Sequence, residues 1–405
     1  AFLNLGNIMK DKGNLIKAEK YTRKAISLNA SCAKFYLNLA NILIDSGKLD
    51  EAYIYIQKTI DLDPDLCKAY YVLSTLPTSI NDYNFKGKLF SDSFLINKGI
   101  KEKIDIYFAR ANFLHKKKKY SLSGKYLLMA NNLKLTIYTS NVNYRLNKSK
   151  ELLKESYMND IQITRDVDHP KSIFIVGMPR SGSTLLESIL SMNPHVNNLG
   201  ELNIFEDSYL EWKKLRSSNS DINLDQVYFR QLNSLIEKSP IITNKWLYNY
   251  QYTGIILSSI PNSKIIHCIR NPLDNILSIF RANFSKGNEY STSLIDCAKV
   301  YNDHVKRMNE YKKNYSLNIY TLNYDLLVKN PSIEIKSLIS WLGWDWYDSY
   351  ESPHLNPRSV LTASRVQVRS PINSKSIGGW KNYKNMLEPI FEIFPQNDEY
   401  HNSIE

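Results

Sequence analysis

The chain has 405 residues, 43% of them hydrophobic and 23% charged, a balance typical of soluble globular proteins and unlike that of disordered chains. At about 100–200 residues per domain, this length predicts two or three domains. With 14 Gly and 4 Cys the chain is neither collagen-like nor a disulfide scaffold, and no apolar run is long enough for a membrane-spanning helix.

The 52 basic residues exceed the 40 acidic ones, for a net charge of +12. Such a surface attracts polyanions: a nucleotide, a sulfated or phosphorylated ligand, nucleic acid or an acidic peptide. Most of the lysines nevertheless read as solvated surface. Cys32, Cys67, Cys268 and Cys297 show neither CxxC nor metal-ligand spacing and read as free thiols, which points to a reducing compartment, the cytoplasm. The chain begins at Ala1, not Met, and already inside a repeat, so a preceding leader stays open.

Phe2 to Met9 (FLNLGNIM) recurs as Tyr36 to Leu43 (YLNLANIL), an offset of 34 residues. Gly13 and Gly47, Leu15 and Leu49, Ala18 and Ala52, Ile26 and Ile60, and Leu28 and Leu62 keep that offset. A third copy opens at Tyr70 and fades near Pro77. The small residues Gly6, Ala40 and Ser74 let paired helices approach closely, and Gly13 and Gly47 suit the turns. Asp63-Pro64 is expected to close one unit and open the next, with Pro in a first helical turn. The unit resembles the tetratricopeptide repeat, predicted over residues 1–76. Residues 77–165 read as further helices, degenerate repeats among them. There Tyr107 to Leu114 resembles a first helix and Tyr120 to Leu133 its partner, with Lys116 to Lys119 a solvated patch at the turn. Repeats of this kind form concave surfaces for peptides or proteins; bracing the next domain is the other role left open.

Lys171 to Met178 (KSIFIVGM) reads as a buried parallel strand. Pro179-Arg180-Ser181-Gly182-Ser183-Thr184 follows, and Leu185 to Leu190 continues as a helix. A strand, a glycine loop and a helix point backbone N–H groups at a phosphate. Gly177, Gly182 and Thr184 match the nucleotide-triphosphate loop, but Ser183 stands where its lysine would be, which disfavours a kinase or NTPase. Lys264 to Arg270 forms a second strand, and Asn271-Pro272 starts a helix that carries Ser278. Arg270 can pair a phosphate bidentately, with Ser278 two helical turns further on.

These two segments, about ninety residues apart, resemble the phosphosulfate and 3′-phosphate motifs of the sulfotransferase family. PRSGSTLL is close to the loop of tyrosylprotein sulfotransferases and of bacterial proteins that fuse tetratricopeptide repeats to a sulfotransferase domain. The resemblance implies 3′-phosphoadenosine 5′-phosphosulfate as co-substrate, with Arg180, Ser181, Gly182, Ser183, Thr184, Arg270 and Ser278 as its binding residues. Weaker matches add Glu201 as catalytic base and Lys245 as a contact to the transferring sulfate. They also add Tyr324, in a segment like the family's YExL, and Ser364, in a C-terminal cover over the co-substrate. His195 is a rival base, and His267 reads as a structural histidine within a strand. Two departures stand out. LNIFED after Glu201 lacks the arginines that grip acidic tyrosine peptides. Gly379 stands before Trp380 where the family often has a basic residue, which Lys375 or Lys381 would have to replace.

The expected architecture is an α-helical tetratricopeptide-repeat domain followed, at 166–405, by an α/β P-loop-like sulfotransferase domain with a mainly parallel sheet. Its phosphate sites should lie at the carboxyl ends of the strands. The expected activity moves a sulfuryl group to a hydroxyl of a protein tyrosine, a glycan or a small molecule. Arg180 and Lys245 would balance charge while Glu201 takes the proton. No metal is expected, because no His/Cys cluster has ligand spacing. The competing readings are an inactive repeat scaffold for protein binding, a kinase, and a nucleic-acid binder; the last explains the charge but not the paired phosphate loops.

Overall fold

The computed structural model describes residues 1–77, 85–158, 169–218, 222–236, 239–284, 287–356, 358 and 360–394. The expected boundary at 165/166 and the last eleven residues of the chain lie outside them.

Helices α1 (Phe2–Asp11) and α2 (Leu15–Leu28) form the first repeat, α3 (Ala33–Asp45) and α4 (Leu49–Leu62) the second, and α5 (Cys67–Thr75) opens the third. Gly13 and Gly47 make the turns at φ +75° and +81°, a left-handed conformation that disfavours side chains. Ala18, Ala40 and Ala52 are fully buried where helices cross. A Cβ on Gly6 would stand 2.5 Å from Thr22 Oγ1, so α1 and α2 meet at this distance only through glycine. Pro64 departs from expectation. It lies in the turn before α5, where its carbonyl accepts from the Tyr70 hydroxyl at 3.0 Å, rather than in a first helical turn.

The third repeat is interrupted by the short α6 (Lys86–Phe90), and α5 then packs on α7 (Ile100–Lys116). Helices α7 and α8 (Tyr120–Leu135) form the pair expected around Tyr107 and Tyr120, and α9 (Val142–Met158) follows. Lys117, Lys118 and Lys119 are exposed, but Lys116 is not part of a solvated patch: it is half-buried and lines a cavity. Helix α7 joins two cores. Ile106, Ala109 and Phe113 pack into the repeat core with Leu39, Ile56 and Tyr70. Ile104, Phe108 and Ala111, on the other side of the same helix, pack with Phe174 and Ile255 of the following domain.

That domain is built on five parallel strands in the order β2-β3-β1-β4-β5. They are β1 (Lys171–Gly177), β2 (Val196–Asn198), β3 (Ile241–Asn244), β4 (Ser263–Ile269) and β5 (Ile319–Asn323). Alternate residues of β1 enter different cores. Ile173 and Ile175 pack with Leu186 and Ile189 of α10 (Ser183–Leu190), while Phe174 and Val176 join the core on the opposite face. This two-sided burial explains the unbroken apolar run of the strand. Helices α11 (Ile204–Ser217), α12 (Leu224–Leu235), α13 (Thr253–Ser259), α14 (Pro272–Phe280), α15 (Leu294–Tyr315), α16 (Tyr324–Lys329) and α17 (Pro331–Leu342) complete the layers.

Candidate active site

Each strand ends at a residue singled out in the sequence. Arg180 follows β1, Glu201 follows β2, Lys245 follows β3, Arg270 follows β4 and Tyr324 follows β5. In a parallel sheet this carboxyl edge is where ligands bind.

The loop after β1 depends on two close approaches. A Cβ on Gly177 would lie 2.5 Å from the Cys268 carbonyl, and one on Gly182 would lie 2.3 Å from the Tyr324 ring. Gly182 sits at φ +93° and Arg180 at φ +68°, so the chain doubles back before α10 begins. Ser183 and Thr184 occupy the first turn of α10, where free backbone N–H groups favour an anion. Arg180 Nε donates to Ser278 Oγ at 3.1 Å and its Nη1 to Ser364 Oγ. Thr184 Oγ1 meets Thr362 Oγ1 at 3.2 Å. Burial, with Arg270 and Arg281 nearby, pushes the Arg180 guanidinium down to about 10.

Arg270 is buried, its Nη1 on the Arg180 carbonyl at 3.2 Å and its Nη2 on the Ser376 carbonyl at 2.8 Å. Its guanidinium lies 4.9 Å from the centre of the Tyr324 ring, and Tyr324 Oη meets Ser376 Oγ at 2.9 Å. Asn271 caps α14 by accepting from the N–H groups of Leu273 and Asp274, with Pro272 in the first turn as expected. Two buried donors of this site, Ser181 Oγ and Arg270 Nε, have no hydrogen-bond partner among the described residues. Phosphate oxygens suit both.

The Glu201–Lys245 pair follows from strand register. Asn198 stands beside Thr243, and the pairing runs on through Leu199 N–H to the Thr243 carbonyl (2.9 Å) and Lys245 N–H to the Gly200 carbonyl (2.8 Å). Gly200, at φ +61°, turns the chain so that Glu201 Oε1 reaches Lys245 Nζ at 2.6 Å. Lys245 is fully buried and Glu201 half-exposed. Sequence reasoning missed the other side of this pair. Glu187 Oε2 lies 3.7 Å from Lys245 Nζ and 3.0 Å from Arg358 Nη1. A single charge among the uncharged Ser, Thr, Leu and Ile residues of α10 was the available signal. His195 is exposed before the amino end of β2, at the far edge of the sheet from Glu201, which removes it as a rival base. His267 is buried against His304, with their Nε2 atoms 2.8 Å apart.

A cavity of about 950 Å³ lies between this edge and the repeats. Arg180, Thr184, Glu201 and Ser278 line one side; Asn41, Lys68 and Asn112 of the helical region line the other. Among the described residues, no helix is long and apolar enough to cross a membrane, and all four cysteines are free thiols.

A sulfotransferase family model matches residues 170–348, and a tetratricopeptide repeat model matches residues 1–32 and 33–66. The chain therefore carries a sulfotransferase-family domain behind tetratricopeptide repeats. An uncharacterized protein of Aquifex aeolicus (strain VF5) is 29% identical over 320 residues, covering 71% of this chain and 41% of the relative. A protein-tyrosine sulfotransferase of Drosophila melanogaster is 23% identical over 234 residues, covering 51% of this chain and 46% of the relative. The chain thus spans less than half the length of each of these two relatives. Among solved structures, the sulfotransferase domain of the Synechococcus PCC 7002 olefin synthase aligns with a TM-score of 0.41 at 16% identity, covering 56% of this chain and 98% of that domain.

Proposed function

We propose that this chain transfers a sulfuryl group from 3′-phosphoadenosine 5′-phosphosulfate to a hydroxyl acceptor. The observation that carries the reading is the convergence on one strand edge of a phosphate loop, a buried arginine with a free donor, and a carboxylate beside an ammonium. In this reading the backbone N–H groups of Arg180 to Thr184 and the hydroxyls of Ser183 and Thr184 hold the 5′-phosphosulfate. Arg270 and Ser278 hold the 3′-phosphate, and Tyr324 and Ser364 close over the nucleotide. The acceptor oxygen attacks sulfur, the bond from sulfur to the bridging oxygen breaks, and adenosine 3′,5′-bisphosphate leaves. Glu201 takes the acceptor proton. Lys245 and Arg180 balance charge on the transferring group and the leaving oxygen.

The acceptor is a hydroxyl of a protein tyrosine, a glycan or a small molecule, and the cavity between edge and repeats offers it room in front of Glu201. Leu202 to Asp207 carries no cation, which favours an acceptor other than a tyrosine within an acidic peptide. The repeats offer a surface for a peptide or protein, and the free thiols support a cytoplasmic setting. An inactive scaffold is the second reading; the charged pair Glu201–Lys245 beside an intact loop speaks against it.

Calorimetric titration with adenosine 3′,5′-bisphosphate, and with ATP in parallel, tests the proposal. Micromolar binding of the bisphosphate that is lost in Arg270→Ala is the expected result. No binding, or a preference for ATP, overturns it.

A further inference from the structure

The segment from Val360 to Trp380 runs over the phosphate loop as a strap and is held at two places. At its far end, Asp274 of α14 accepts from Gly378 N–H at 2.6 Å and from Trp380 N–H at 2.8 Å. This anchor lies within the sulfotransferase domain. At its near end the strap is held by the second repeat. Arg365 Nη1 pairs with Asp45 Oδ1 at 2.5 Å, and Arg365 Nη2 donates to Asn41 Oδ1 at 2.9 Å. The Asp45 carbonyl accepts from Val360 N–H at 3.2 Å and from Arg369 Nη2 at 3.1 Å. Val366 packs against the repeat core. Gly47, two residues past Asp45, leaves room for Arg369, since a Cβ there would stand 2.9 Å from Arg369 Nε.

Ser376, between the two anchors, meets Arg270 and Tyr324, while the strap's contacts to the phosphate loop fall within the stretch held by the repeat, between Val360 and Arg365. Ser364, next to Arg365, accepts from Arg180; Thr362 meets Thr184. Asp45 is almost fully buried, and Lys10 of the first repeat also approaches it, at 3.4 Å. Such a pair is unfavourable to break, because each partner would remain as a charge largely shielded from water.

We propose that Asp45 is a positioning residue of the donor site: by holding Arg365 it sets Ser364 and Thr362 on the phosphate loop, so the repeat domain completes the nucleotide pocket. The inference rests on the reading of that loop as the donor site. It assigns the repeats a part in donor binding besides any surface they offer to partners.

The test measures adenosine 3′,5′-bisphosphate affinity by calorimetry, with thermal denaturation alongside, for the whole chain and three variants. Asp45→Ala and Arg365→Ala should each weaken bisphosphate binding by about 10-fold, and the double variant should be no weaker than either single one, because both remove one interaction. Arg365→Ala leaves the repeat helices intact and serves where Asp45→Ala does not fold. Arg23→Ala is the control. It breaks a network with Glu19, Glu51 and Tyr55 inside the repeats, away from the strap, and should leave affinity unchanged. If the unaltered chain does not bind the bisphosphate, the donor-site reading itself fails. Unaltered binding in both Asp45→Ala and Arg365→Ala, beside a chain that does bind, overturns this inference alone. So does an equal loss in Arg23→Ala, because general loosening of the repeats would then account for the effect.

Discussion

In the first two repeats, apart from Asn41 and Asp45, which hold the strap, the interacting groups lie near one another along the chain. Gly6 meets Thr22, and Arg23 pairs with Glu19 at 2.8 Å and Glu51 at 2.5 Å. At the strand edge they lie far apart: Arg180 bonds Ser278 and Ser364, 98 and 184 residues away. The difference separates two kinds of sensitivity. Local helix packing sets how stable the repeats are. The edge is assembled by sheet register and a strap, so small changes there act on binding and chemistry before they act on folding.

Substitutions in the two regions can break that contrast or sharpen it. The largest effect is expected at Glu201. Glu201→Gln should lower turnover about 10²–10⁴-fold while bisphosphate affinity stays unchanged, as expected for loss of a general base. Single-turnover assays beside calorimetry separate the two; an equal loss of affinity would argue that Glu201 orders the donor instead.

Within the repeats, Ala18→Leu overfills a fully buried helix crossing and should destabilise the chain by about 1–3 kcal/mol. Bisphosphate affinity below the melting range should not change. An affinity loss without a drop in melting temperature would contradict the contrast.

Gly182→Ala acts on the edge through the backbone. The left-handed conformation costs a side chain about 1–2 kcal/mol, before any contact with the Tyr324 ring. If the variant loop relaxes out of this conformation when empty, the fold is spared and the cost falls on re-forming the loop, so bisphosphate affinity should fall about 10-fold with little change in melting temperature. The reverse pattern would make this glycine a folding residue rather than a binding one.

Acid sensitivity is a separate effect, and it arises in helices outside the two compared regions. Burial pushes His115, on α7, and His304, on α15, down from 6.5 to about 3, because desolvation disfavours the imidazolium. Between those values the unfolded chain binds protons that the folded chain does not. Stability is therefore complete above about pH 6.5 and falls as the pH drops, by up to about 1.4 kcal/mol per pH unit for each histidine. Denaturant unfolding at pH 7.5, 6 and 5 measures the slope, and His115→Asn should reduce it. An unchanged slope in that variant would locate the titration elsewhere.

The residues legible in the sequence are those whose environment is set by their near neighbours. The repeat register appears in Gly6, Ala18, Gly47 and Ala52 because neighbouring helices meet at fixed offsets. The phosphate loop appears because a strand, a glycine turn and a helix start are contiguous from Lys171 to Leu190. Pro64 was misjudged because a proline is as well suited to the turn before a helix as to its first residue. Lys116 was misjudged because nothing local distinguishes a solvated lysine from one that faces a cavity between domains.

The sequence by itself determined the repeats, the parallel α/β class and two phosphate-binding segments, because helix and strand periods and glycine turns act over a few residues. The tertiary structure decided that Glu187 and Arg358 stand behind Lys245, that Asp274 anchors one end of the strap, and that Asp45 of a repeat anchors the other. These contacts bring together charged groups from distant parts of the chain. Each such side chain, read alone in the sequence, looks like solvated surface; only burial against a partner of opposite charge or a backbone donor gives it a role.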